Sequence, residues 1–511
     1  MKSASAEAAP PVTEVAEPAR AQGLFRRAWG WSLRLVWLWP GLLTLAVGVF
    51  GSGRPFMWRD ELATWSVAHR SVPEIMDVLH HLDAVIGPYY LFMHFWTELF
   101  GDSLTSLRLP SALAMAGAAV FVTLTGRKVF GPATGLMAGL LFAFTPSVSR
   151  YGQEARGYAF VVLAIAAATF FLLRALERPT VLRWLPYSLS LFAAGLFHLI
   201  SLVVVAGHAV VVLMRWWRPR NHRLLIGFAL SVVLGALPLT PLAMVGQTQV
   251  GRQLGWLDAP SLQYVAAGFW PGLFHSYWFG LCVIALALLP LAWAKGRRVV
   301  VELAMVAVVP IVLVWLISQS GTAYFIDRYL LFTLTAWSVL AAAGLSRLRP
   351  KPVAAIGLAV VVLLGVPDQR SVRQKYSRET WDGVAASKVI AEHYRPGDGL
   401  VTLGGDYRFF QLDVVLDYTL PEDVKLKGVF FKKDRVANGD IYPALCSDQE
   451  LKACIGDTQR VWAITVGPPG YVFNQYSAAE KAVLNEVFPK QTNYVVRDMN
   501  VTLLERGPAT G

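Results

Sequence analysis

Apolar runs close to twenty residues long recur from about residue 33 to residue 367, and they decide what this chain can become. A run of that length fits a helix crossing the hydrocarbon core of a bilayer. The runs fall at roughly 33–52, 109–126, 133–149, 157–175, 184–198, 200–215, 224–244, 273–294, 299–317, 328–346 and 353–367. Composition agrees: of 511 residues, 55% are hydrophobic and 16% charged, with a mean hydropathy of +0.47. Soluble chains carry charge on about a quarter of their residues. The pattern predicts an all-α polytopic membrane protein with about eleven transmembrane helices.

The net charge of +12 sits largely in short loops between these runs. Arg20, Arg26, Arg27 and Arg34 precede the first run. Arg127-Lys128, Arg174 to Arg183, Arg215 to Arg223, Lys295 to Arg298, and Arg347 to Lys351 follow in alternate loops. Basic residues mark the cytoplasmic side, so the charge is topological and predicts no nucleic-acid partner. The N-terminus is expected in the cytoplasm, as a disordered tail over 1–32 without a cleavable signal peptide. The membrane domain spans 33–367, and a polar region, 368–511, is expected outside the cytoplasm by span parity.

That last region predicts a small α/β domain. Glu379–Tyr394 reads as a helix, and 400–403, 461–466 and 500–504 read as strands. Cys446 and Cys454 lie within it and can form one disulfide if it is extracytoplasmic, whereas Cys282 sits in an apolar run. No Cys/His metal spacing occurs. About 55 residues separate the first two spans, too many for a turn. Ile75, Val78, Leu79 and Leu82 there recur at helical spacing, followed by the aromatics Tyr89, Tyr90, Phe92, Phe95 and Trp96. These predict interfacial helices in the first outer loop.

The ionisable residues that topology does not explain gather on the outer side. Asp60-Glu61 follows the first span, where a carboxylate is costly without a task or a partner. One carboxylate can act as a general base and the other can help hold a divalent cation, or the pair can simply cap a helix. Arg150 to Tyr158 occupy a short outer loop; Glu154 adds a carboxylate and Arg156 a guanidinium suited to phosphate. Arg150 and Tyr151 also suit interfacial anchoring. Asp327-Arg328 either pair with one another or free Arg328 for a lipid phosphate. His94 and His198 are weaker candidates. Segment 245–272, with Gln247, Gln249, Arg252, Trp256 and Trp270, is a candidate contact for a polar acceptor.

Taken together, several motifs resemble a known family. They are Trp58-Arg59-Asp60-Glu61, Asp83 with Pro88-Tyr89-Tyr90, Gly101-Asp102-Ser103, Leu107-Arg108-Leu109-Pro110-Ser111 and Tyr151-Gly152-Gln153-Glu154-Ala155-Arg156-Gly157-Tyr158. This order is similar to that of the GT-C membrane glycosyltransferases, the superfamily of the dolichyl-phosphate-mannose protein mannosyltransferases and the bacterial aminoarabinose transferases. It covers 55–215 by motif and the later spans by topology; Gly87-Pro88 stands where the family has consecutive prolines. The resemblance implies a GT-C fold and transfer of a sugar, mannose favoured, from a polyprenyl-phosphate donor. The acceptor hydroxyl would belong to a lipid, protein or glycan, and reaction would invert the anomeric carbon at the outer face of the cell membrane. It implies Asp60 as the base, with Glu61 and Glu154 as further catalytic groups that help hold a metal (Mg, Mn or Zn). Arg156 and Arg328 would bind the donor phosphate, with Asp83, Gln153, Tyr158 and His198 in supporting positions. A transporter or flippase for a lipid-linked saccharide is the alternative, but would place ionisable groups near the bilayer midplane.

Overall fold

A computed structural model describes residues 35–292 and 296–507. The expected tail over 1–32, the basic residues Arg20, Arg26, Arg27 and Arg34, and Lys295 lie outside the described residues. Helices dominate to residue 371. Nine of them concern the site and its supports: α1 (Trp39–Val49), α2 (Arg59–Ala68), α3 (Val72–His81), α4 (Gly87–Phe100), α5 (Leu104–Phe130), α6 (Pro132–Phe144), α7 (Pro146–Gly152), α8 (Tyr158–Glu177) and α9 (Val181–Phe197).

Each of the eleven apolar runs coincides with an apolar helix. Among the described residues seven helices are long and apolar enough to cross a bilayer, and the bent pair Tyr264–Phe274 and Tyr277–Ala292 makes an eighth. The other three, Val36–Val49, Pro132–Phe144 and Val181–Phe197, are shorter. The chain is a multi-pass membrane protein. Two boundaries differ from expectation. The helix at 224–244 continues as Thr240–Leu254 into the expected loop, and the last membrane helix runs through Pro367 to Ser371.

Small residues let the first helices approach closely, as is usual where lipid gives helices no hydrophobic reason to associate. A Cβ on Gly139 of α6 would lie 2.6 Å from the Pro40 Cβ of α1, and one on Gly135 would lie 2.5 Å from the Thr123 carbonyl oxygen of α5. The basic loops also meet one another. Lys128 pairs with Glu177, which Arg183 approaches, and Arg215 and Arg298 share Glu302.

In the long loop after the first span, Ser71 and Glu74 form a capping box that starts α3, and Ile75, Val78 and Leu79 bury the face their spacing foretold. The C-terminal region holds a five-stranded sheet in the order β2-β1-β5-β7-β6. Its strands are β1 (Gly399–Val401), β2 (Lys427–Gly428), β5 (Arg460–Val466), β6 (Lys490–Val496) and β7 (Met499–Glu505); the short β3 (Phe431–Lys433) and β4 (Ala444–Leu445) pair separately. β1 runs parallel to β2 and β5, whereas β7 is antiparallel to both its neighbours. Cys446 and Cys454 are joined.

This region does not stand apart. One buried cluster runs from Met57, Leu62, Tyr89, Met93 and Leu107 into Trp381, Leu412, Val461 and Trp462. The long loop after the first span and the C-terminal domain therefore share a core, and the surface between them is fixed by apolar burial.

Candidate active site

The segment leading into α2 is held by its backbone carbonyls. Arg108 of α5 donates to the carbonyls of Ser52 (2.5 Å) and Pro55 (2.8 Å). Arg373 donates to those of Val47 (2.7 Å) and Phe50 (3.0 Å), and Gln153 to those of Gly48 and Phe50 at 2.9 Å each. A helix C-terminus leaves such carbonyls without intrahelical partners, and three side chains from distant elements supply them here. The start of α2, and so Asp60, has a fixed position.

Asp60 and Glu61 then diverge. Successive residues on a helix are turned about 100° apart, so adjacent carboxylates face different surroundings. Glu61 is buried, with 1% exposure, and forms a two-point ion pair with Arg108 at 2.8 Å for each oxygen. It also accepts the Ala155 backbone N–H at 2.9 Å. Asp60 instead lines a cavity of about 900 Å³. Among the described residues its carboxylate has no hydrogen-bond or ion-pair partner.

Two guanidinium groups share that cavity. Arg156 reaches the Thr64 hydroxyl and the Asp60 carbonyl, each at 3.5 Å, and also the Tyr90 hydroxyl. Burial lowers its pKa, but Asp60, then Tyr90, Tyr158 and Asp83, outweigh burial and hold it well above the ordinary value. Arg328 lies 5.6 Å from the Trp58 ring centroid, with its Nε buried and unpartnered. It does not pair with Asp327, whose Oδ1 accepts the Arg328 backbone N–H instead. His198 stacks on Tyr329 with ring centroids 4.3 Å apart, and Tyr158 lies 5.9 Å from His198. Asp83, in a left-handed conformation, accepts from the Tyr90 hydroxyl at 2.7 Å and from Gln253 at 3.0 Å. Burial raises its pKa, against the pull of Arg156.

The structure thus gathers Asp60, Asp83, Arg156, Tyr158, His198 and Arg328 around one cavity. It does not bring Glu61, Glu154 and Gln153 to that cavity; they stand behind its wall. Glu154 is fully buried and held by Arg150 and by Arg378, the latter at 3.0 Å. Three guanidinium groups surround these two glutamates, so they are poor ligands for a cation. Among the described residues no group of three or more His, Cys, Asp or Glu is arranged to hold a metal. His94 ties α4 to the end of α2, meeting the Ala68 carbonyl at 2.9 Å.

Sequence reasoning missed Arg378, which bonds Glu154 and the carbonyls of Arg150 and Gln153 from the connection to the C-terminal domain. It also missed the far wall of the cavity, where Arg408, Phe409, Gln411 and Tyr442 face Asp60. Gln411 donates to the Arg59 carbonyl at 3.0 Å, and Arg59 lies over Phe409. Of segment 245–272, Gln247, Arg252 and Trp256 reach the cavity. Gln249 instead braces the long loop after the first span through Leu79 and Ala84, and Trp270 packs on Trp337.

Residues 88–242 match the family model for dolichyl-phosphate-mannose-protein mannosyltransferase. Over nearly its whole length the chain superposes on ArnT from Cupriavidus metallidurans. For apo ArnT the TM-score is 0.62 at 13% identity, covering 94% of this chain and 100% of that one. For ArnT bound to undecaprenyl phosphate it is 0.61 at 13% identity, covering 94% and 99%. The chain has an ArnT-like fold. At such identity the likeness to ArnT is one of fold. No curated protein matches the sequence. The shared fold takes in the long loop after the first span, the helical membrane domain and the C-terminal domain as one architecture.

Proposed function

We propose that the protein is a membrane glycosyltransferase that moves a sugar, mannose favoured, from a polyprenyl-phosphate donor to an acceptor hydroxyl at the outer face of the membrane. One observation carries the reading: Asp60, whose carboxylate has no hydrogen-bond or ion-pair partner among the described residues, shares a cavity with two guanidinium groups that form no ion pair among those residues, Arg156 and Arg328. The solved relative bound to undecaprenyl phosphate supports a lipid-phosphate donor.

The chemistry follows from the charges. Asp60 takes the proton of the acceptor hydroxyl as its oxygen forms a bond to the anomeric carbon. The bond from that carbon to the phosphate oxygen breaks, and a single displacement inverts the centre. Negative charge grows on the departing polyprenyl phosphate, where Arg156 and Arg328 already lie without reorganisation. Glu61 and Glu154 act as positioning residues through Arg108, Arg150 and Arg378. No step is assigned to a metal.

The purified protein, incubated with a panel of polyprenyl-phosphate sugars, should transfer or hydrolyse one of them, as read by mass spectrometry. Arg156→Ala should weaken donor affinity about 10- to 100-fold, the worth of a charge-assisted hydrogen bond, with little change in acceptor KM. Equal donor affinity in mutant and parent would rule out the phosphate clamp.

The outer-face assignment rests on the loop charges and is supported by the Cys446–Cys454 disulfide, which suits an oxidising compartment. A reporter fused after residue 511 should respond as extracytoplasmic. A cytoplasmic signal would reverse the topology and move the site to the other face.

A further inference from the structure

A second hollow, of about 700 Å³, lies at the basic end of the membrane domain. It opens between the C-terminal end of the helix Leu199–Trp216 and the N-terminal end of the helix Arg297–Ile317. Its wall joins cations to apolar side chains: Arg218, Arg297 and Arg298 beside exposed Leu213 and Trp217 and half-buried Val301.

The charges here are not equivalent. Buried Glu302 is shared by Arg215, at 2.5 Å, and Arg298, at 3.2 Å. Arg298 also donates to the Met214 carbonyl at 2.6 Å, which ties the two helix ends together. Arg220 lies over the rings of Trp216 and Trp217 at 4.3 and 4.4 Å. Arg218 and Arg297 have no acidic partner among the described residues, and Glu302 is already occupied. The first turn of Arg297–Ile317 carries neither an acidic residue nor a side-chain cap, so its positive helix end adds to the same field.

A soluble anion would satisfy the cations but leave Leu213 and Trp217, 50% and 65% exposed, without apolar contact. A neutral lipid would satisfy the apolar wall and leave the cations. An anionic amphiphile satisfies both. We propose that this hollow is a binding site for an anionic phospholipid, with the phosphate at Arg218 and Arg297 and the acyl chains along Leu213 and Trp217. Basic residues on the cytoplasmic side attract anionic lipids in general; this hollow adds fixed geometry, because Glu302 and the tryptophans hold the surrounding arginines in place. The same helices reach the large cavity at their other ends, through Leu199, Ile200 and Ile317. A lipid seated here therefore bears on two elements of the cavity wall. The inference stands independently of the transferase reading.

The test uses the purified full chain, delipidated in detergent and given phosphatidylglycerol or phosphatidylcholine, with bound lipid counted by native mass spectrometry. Phosphatidylglycerol should be retained over phosphatidylcholine. Arg218→Gln/Arg297→Gln should lower that retention roughly tenfold or more. Arg218→Lys/Arg297→Lys should keep most of it, which also shows that substitution at these positions leaves a folded protein. Arg127→Gln/Lys351→Gln, removing charges outside the hollow, should leave retention unchanged. Equal retention of the two lipids, or equal loss in both Gln pairs, would overturn the proposal. So would displacement of phosphatidylglycerol by millimolar inorganic phosphate, which would mark a site for the free anion.

Discussion

Asp60→Asn should abolish sugar transfer while leaving the folded protein and donor binding intact. Asn matches Asp in shape, and among the described residues the Asp60 carboxylate holds no protein partner that the change would orphan. What disappears is the group that accepts the hydroxyl proton. Loss of a general base costs about two to four orders of magnitude in rate. The measurement pairs transfer from a polyprenyl-phosphate sugar with donor affinity on the same preparation. Near-normal transfer would remove Asp60 from the mechanism. Lost donor binding with no change in chemistry would make it a binding residue instead.

The second large effect is expected behind the cavity wall. Arg108→Ala should destabilise the protein by about 3–5 kcal/mol, the cost of leaving one member of a buried ion pair alone. Arg108 is 1% exposed and holds both Glu61 oxygens as well as the Ser52 and Pro55 carbonyls, whereas Arg378 comes no closer than 3.9 Å to Glu61 and is engaged with Glu154. Thermal unfolding in detergent should show a clear downward shift, partly recovered in Arg108→Ala/Glu61→Gln, where no lone carboxylate remains. An unchanged midpoint for Arg108→Ala would mean that Glu61 does not depend on this pair. The two experiments also separate neighbours: the effect expected at Asp60 is on rate and the one expected at Glu61 is on stability.

That separation shows where sequence reading stops. Asp60-Glu61 stands out as a pair at the edge of a span, but only the helix rotation assigns one member to the cavity and the other to Arg108. Arg156, Tyr158 and Arg328 were legible because they sit in a short loop between apolar runs or at the end of one, where ionisable groups need a reason. Arg378 was not, for it meets Glu154 across 224 residues and lies in an ordinary polar stretch. The membrane helices were legible through length and hydropathy alone. β1, β5 and β7 were legible as apolar runs because both faces are buried. β6 was missed, since Lys490–Val496 is largely exposed and shows no apolar run. It forms through backbone pairing with β7.

Arg378 also defines how the molecule divides. By composition the cut between membrane and C-terminal regions falls near residue 367, and a chimera exchanging C-terminal domains between relatives would be joined there. Such a joint hands Arg378 and Arg373 to the donor of the new domain, while Glu154 and the end of α1 stay with the old membrane domain. The heritable module is therefore the membrane helices together with the connecting strand of chain through Asp382. Domains can be traded only beyond that point if the loop carrying Arg156 is to keep its brace.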